Sequence, residues 1–110
     1  MTSKYQKFQI EKINRMEIKN APYNPRKISD KARGKLKKNL KNVGLLQPLV
    51  VNKRTGNLVS GHQRLDILDE LEKTNDYQIE VSLVDLSEKE EKEQNLFFNN
   101  LNAMGEWDIS

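Results

Sequence analysis

The sequence predicts a small mixed α/β domain, ordered strand, helix, hairpin, helix, strand, helix. Three observations carry this. The chain has 110 residues, the length of one domain. Ala32, Leu36, Leu40 and Val43 recur at the spacing of a helix with one buried face. Ile79, Val81 and Leu83 alternate with Glu80 and Ser82, the two-residue period of a strand. A single domain over 1–110 follows, with its core at about 8–108.

Each element has a local reason. Phe8, Ile10, Ile13, Met16 and Ile18 are mostly evenly spaced, with one slip between Ile10 and Ile13, so a strand with a break or bulge is expected. Residues 20–27 hold two prolines and two asparagines and read as turns. Ser29 or Asp30 can cap the first helix, and Gly44 suits its end. Residues 48–52 and 57–60 are short apolar strands around the turn residues Lys53 to Gly56, a β-hairpin. A second helix begins at Gly61, with Leu65, Leu68 and Leu71 inward and Ile67 beside them. Ser87 and Glu90 fit an S-x-x-E capping box. The helix they open is expected to bury Leu96, Phe97, Leu101 and Met104 and to end near Gly105.

Composition excludes several functions. No apolar run approaches the roughly 18 residues of a membrane span. The N-terminus has no apolar segment of a secretory signal. With no Cys there are no disulfides, thiolate metal sites or Cys nucleophiles, which fits a reducing cytoplasm. With one histidine, His62, a His-based metal triad is impossible. The net charge of +3 hides an asymmetry: residues 1–60 hold 15 Lys+Arg and 3 Asp+Glu, whereas 61–110 hold 4 and 13. The halves carry +12 and −9, so a dipolar molecule is expected. Any polyanion should approach residues 26–41.

The sharpest local feature is Ser60-Gly61-His62-Gln63-Arg64, at a strand-to-helix junction. A helix N-terminus leaves its first N–H groups unpaired and partly positive. Gly61 lets a ligand approach the backbone, Arg64 offers a planar fork to phosphate oxygens, and His62 can donate a hydrogen bond. Together these suit an anion. Ser60 and Gln63 also fit an S-x-x-Q capping box, which would satisfy the same N–H groups internally. Arg26 in Asn24-Pro25-Arg26 is a second candidate, on a rigid turn. Lys35, Lys37, Lys38 and Lys41 line a helix face that either tracks a nucleic-acid backbone or is merely solvated. Asp66, Asp69 and Glu70 read as a polar face rather than a two-metal centre, and no metal site is predicted.

Read in order, Asn24-Pro25-Arg26, Gly44-Leu45-Leu46-Gln47-Pro48-Leu49-Val50-Val51, Gly56 and Ser60-Gly61-His62-Gln63-Arg64 resemble the ParB-like N-terminal domain of the ParB/sulfiredoxin superfamily. The resemblance implies a compact α/β fold and a nucleotide site around the Gly-x-x-Arg loop. It implies CTP or ATP with Mg²⁺ as the ligand, with Gly61, His62, Gln63 and Arg64 at the phosphates and Arg26 in the first family box. Gln47, Asn24, Asn95 and Asn99 are further polar contacts. Partners implied are a nucleotide, DNA directly or through another protein, and a second copy as a homodimer, in a bacterial cytoplasm or encoded by a phage.

Departures narrow this. Sulfiredoxins carry a catalytic Cys where His62 stands, so that activity is excluded. Superfamily serine kinases use an acid near Asn24. Partition proteins place an Arg after a Glu-Asn pair, and Gln94-Asn95-Leu96-Phe97-Phe98 has none. The ending Asn99 to Asp108 resembles ParB-like domains associated with DNA methylases and phages, and suggests an excised domain or a small phage-type protein. Trp107 there can equally just anchor the terminus. Alternatives are a DNA-binding regulatory module with a vestigial loop, and a phosphotransferase or nuclease.

Overall fold

A computed structural model of the chain describes residues 1–23 and 28–103, with side chains as far as Phe98. Its elements are β1 (Phe8–Asn14), a 3-10 turn (Arg15–Glu17), α1 (Asp30–Val43), β2 (Leu49–Asn52), β3 (Leu58–Ser60), α2 (His62–Glu72), β4 (Gln78–Val84) and α3 (Glu88–Ala103). The predicted order is the observed one. The expectations for Asn24, Arg26, Met104, Gly105 and Trp107, and for the side chains of Asn99 and Leu101, lie outside the described residues.

The four strands form one sheet in the order β1-β4-β2-β3. β4 is antiparallel to β1 and parallel to β2, and β2 and β3 form the hairpin. Opposed pairs put Ile13 beside Ile79, and Leu49 beside Val81, on one face. That face builds the core: Leu49, Val51, Leu58 and Val81 meet Leu65 of α2 and Ile18, with Ile79 and Leu83 packed against them. Each such side chain, once buried, contributes about 1.5–3 kcal/mol of transfer free energy.

Three expectations change in detail. β1 pairs with β4 in unbroken register, so there is no bulge between Ile10 and Ile13. The slip is a change of face: Ile13 packs on the core, whereas Phe8 and Ile10 lie on the opposite face, partly exposed. The break comes later, as the 3-10 turn, where the Asn14 side chain accepts from the Met16 amide at 2.8 Å.

In α1 the Ser29 hydroxyl caps the helix, accepting from the Ala32 amide at 3.1 Å. Only Leu40 of the predicted stripe is fully buried; Leu36 is half-buried, and Ala32 and Val43 are exposed. The reason is the neighbour. α1 rests on α2 through a charged seam, with Arg33 on Asp66 (2.9 Å) and Glu70 (3.6 Å), and Lys37 on Glu70 (2.8 Å). α2 lies between this seam and the sheet, so a wider arc is covered. Ile67 is fully buried and Leu68 and Leu71 only partly.

α3 opens with the predicted capping box: the Glu90 amide donates to Ser87 Oγ (3.2 Å) and the Ser87 amide to Glu90 Oε1 (3.0 Å). Of the four residues predicted to face inward, the two whose side chains are described do not. Leu96 and Phe97 are exposed, and the buried positions are Glu91 and Asn95, one turn apart. Among the described residues no helix is long and apolar enough to cross a membrane.

Candidate anion site at the start of the second helix

β3 delivers the chain to Gly61, which adopts the left-handed conformation (φ 99°, ψ 24°), and α2 begins at His62. Two constraints require glycine. The positive φ is unfavourable for any side chain. A Cβ would also overlap Leu49 Cδ2 and stand 3.1 Å from Arg64 Nη2. Gly61 is itself the N-cap, and no side chain caps the helix. The Ser60–Gln63 capping box therefore does not form. The first intrahelical bond is from the Leu65 amide to the Gly61 carbonyl, 2.9 Å. The amides of His62, Gln63 and Arg64 precede it and have no acceptor within the helix.

Arg64 is buried, with 7% of its surface exposed. Its Nη1 donates to the Gln47 carbonyl at 2.8 Å, which ties the Gly44–Pro48 loop to α2. Its Nε is buried without a hydrogen-bond partner, and so is His62 Nε2. No carboxylate pairs with Arg64 among the described residues. Burial accordingly presses the pKa of Arg64 and of His62 below their ordinary values. A guanidinium withdrawn from water with no counter-charge is costly, and an anion placed beside it removes that cost.

The other candidate residues divide. Gln47 contributes its backbone carbonyl, and its side chain is exposed. Asn95 is buried and donates to the Val59 carbonyl (3.3 Å), beside Ser60. Lys35, Lys38 and Lys41 are exposed on α1, whereas Lys37 is engaged by Glu70. Asp66, Asp69 and Glu70 of α2 are each occupied by a cation. Asp66 and Glu70 pair with α1, and Asp69 accepts from Arg15 Nε and Nη2, both at 2.9 Å, and from Tyr77 Oη at 2.7 Å. Among the described residues no three His, Asp or Glu gather as a metal site.

One buried group escaped the sequence reading. Glu91 is 2% exposed. Its Oε1 accepts from Asn52 Nδ2 (2.8 Å) and Thr55 Oγ1 (2.6 Å), and its Oε2 from Asn57 Nδ2 (3.1 Å) and Tyr23 Oη. Burial opposes the charge, but the four donors outweigh it and hold the carboxyl below its usual pKa. In the sequence Glu91 is one of a run of charged residues. The available signals were its four-residue spacing from Asn95 and the asparagines flanking the hairpin turn.

The model of the ParB N-terminal domain family matches residues 1–100. No curated protein sequence matches the chain. Among solved structures, the Pnob8-like ParB-N domain superposes with a TM-score of 0.63 at 20% identity, covering 86% of this chain and 37% of that one. The C-terminally truncated chromosome-partitioning protein ParB from Caulobacter crescentus, complexed with CTP-γ-S, gives 0.66 at 15% identity, with 92% and 56% covered. The chain therefore spans roughly a third to just over half of those proteins. At these identities the likeness establishes the fold, and the match over residues 1–100 establishes kinship: the chain belongs to the ParB N-terminal domain family.

Proposed function

We propose that this chain is a ParB-type nucleotide-binding domain acting in bacterial or phage DNA metabolism. The phosphates of CTP or ATP, with Mg²⁺, would sit at the start of α2. The carrying observation is Arg64: a buried guanidinium with an unpartnered Nε and no carboxylate beside it among the described residues. The first turn of α2, which no side chain caps, adds backbone N–H donors on the same loop, and His62 Nε2 lies buried there without a partner. The CTP-γ-S complex of the Caulobacter relative supports CTP as the first ligand to try. Arg26 and Asn24 belong to this reading by their place in the first family box.

Isothermal titration with CTP, ATP and GTP, each with Mg²⁺, tests it. One of them is expected to bind, and Arg64→Ala to weaken it about 30-fold, the loss of roughly 2 kcal/mol of charge-assisted hydrogen bonding. A thermal melt checks that the variant, which also frees the Gln47 carbonyl, stays folded. No binding by any of the three rejects the reading.

A second reading rests on α1. Lys37 is consumed by Glu70, but Lys35, Lys38 and Lys41 remain exposed, where they would contact DNA phosphates. Changing these three to alanine is expected to flatten the plot of log affinity against log salt by about three units, near 0.9 per phosphate contact. An unchanged slope would remove DNA from this face.

A further inference from the structure

α3 grips β3 at two points one helical turn apart. Glu91 Oε2 holds the Asn57 amide at 3.1 Å, just before β3, and Asn95 holds the Val59 carbonyl at 3.3 Å. Two residues after Val59 the chain reaches Gly61, and just beyond it His62 Nε2 and Arg64 Nε, both buried without a partner. Glu91 also holds Asn52 at the end of β2, Thr55 in the hairpin turn, and Tyr23, which directly precedes Asn24 in the chain. Asn52 in turn accepts from the Leu86 amide (3.0 Å) and donates to the Leu86 carbonyl (3.0 Å), so the loop into α3 is fixed to the same point. Leu96 and Phe97 of α3 take no part in this grip, since both are exposed.

We propose that Glu91 is a positioning residue of the anion site: it fixes the hairpin and β3, and through β3 the placement of Gly61 and the donors of α2. The function assigned to it rests on the nucleotide reading above; the positioning itself does not. The chemistry requires a carboxylate. All four partners present donors; two are side-chain amide nitrogens, which only donate, and Asn52 cannot flip without losing both of its bonds to Leu86. A carboxylate accepts from all four. A glutamine puts an NH₂ where two donors already point, and at least one contact becomes repulsive.

The test compares wild type and Glu91→Gln by residue-resolved amide hydrogen exchange without nucleotide. Nucleotide titration follows at a temperature where both are fully folded by circular dichroism. Exchange at residues 58–65 is expected to accelerate about tenfold beyond any change in β1 and β4. The affinity of whichever nucleotide binds should fall about tenfold. Uniform acceleration over the sheet, or none at 58–65, overturns the positioning role. Selective acceleration with unchanged affinity overturns its link to the anion site. If wild type binds no nucleotide, the functional reading fails by itself and the exchange pattern still decides the positioning. Should Glu91→Gln not fold, Tyr23→Phe removes one donor and is read the same way, with about threefold selective acceleration expected.

Discussion

Replacing Gly61 by alanine should destabilise the domain by about 3 kcal/mol. Two costs act together. The left-handed backbone at φ 99° penalises a side chain by about 1–2 kcal/mol. The new methyl also enters the volume of Leu49, a fully buried core residue, and forcing an extra carbon into a packed core costs about 1–3 kcal/mol. Leu49 cannot simply turn away, because Val81 and Leu65 belong to the same cluster. Gly34→Ala is the control of opposite sign. Gly34 lies in the middle of α1, and nothing stands within 4 Å of where its Cβ would go. Alanine there should stabilise by up to about 1 kcal/mol through helix propensity alone. Urea unfolding of the two variants beside wild type reads both effects. Equal midpoints for Gly61→Ala and wild type would mean that the junction relaxes and the glycine is not structurally required.

The same contrast explains what was legible in the sequence. Features fixed within four residues read correctly: the Ser29 cap, the Ser87–Glu90 box, the hairpin turn and the alternation of β4. Features that depend on which surface comes to face which did not. The apolar spacing of α3 pointed to Leu96 and Phe97 as its inner face, yet the surface it meets is the polar rim of the hairpin, so Glu91 and Asn95 turn inward. The α1 stripe was weakened for the same kind of reason, because α1 meets a helix that presents Asp66 and Glu70. That seam also moderates the expected polarity. Arg33 and Lys37 spend their charge on the acidic half, at no more than about 1 kcal/mol per exposed pair. The basic surface left over is the outer side of α1. At the candidate anion site, the junction around Gly61 was legible because strand end, glycine and helix start are consecutive. The burial of Arg64 was not, since it depends on the Gln47 carbonyl 17 residues away.

Glu91→Ala should cost about 3 kcal/mol, at about 1 kcal/mol for each of three neutral donors left without their acceptor. The half-buried Tyr23, Thr55 and Asn57 would each lose an acceptor, whereas Asn52 keeps the Leu86 carbonyl. The pH dependence separates this from simple loss of packing. Glu91 in the folded domain holds its proton more weakly than an ordinary glutamate, because its four donors favour the carboxylate. A carboxyl depressed in this way contributes stability that is complete above the unfolded-state pKa, near about 4.3. That contribution is lost as pH falls through the lower folded value. Other carboxylates stabilised in the fold, such as Glu70 with Lys37 and Asp85 with Arg54, titrate over the same acid range in both proteins. The difference between wild type and Glu91→Gln cancels them. It should be largest at neutral pH and shrink steadily below about pH 4. Urea midpoints of the two proteins from pH 7 to pH 3 measure it. A difference that stays constant across that range would show that the carboxyl is not held as an anion, and that neutral hydrogen bonds and packing alone fasten α3 to the hairpin.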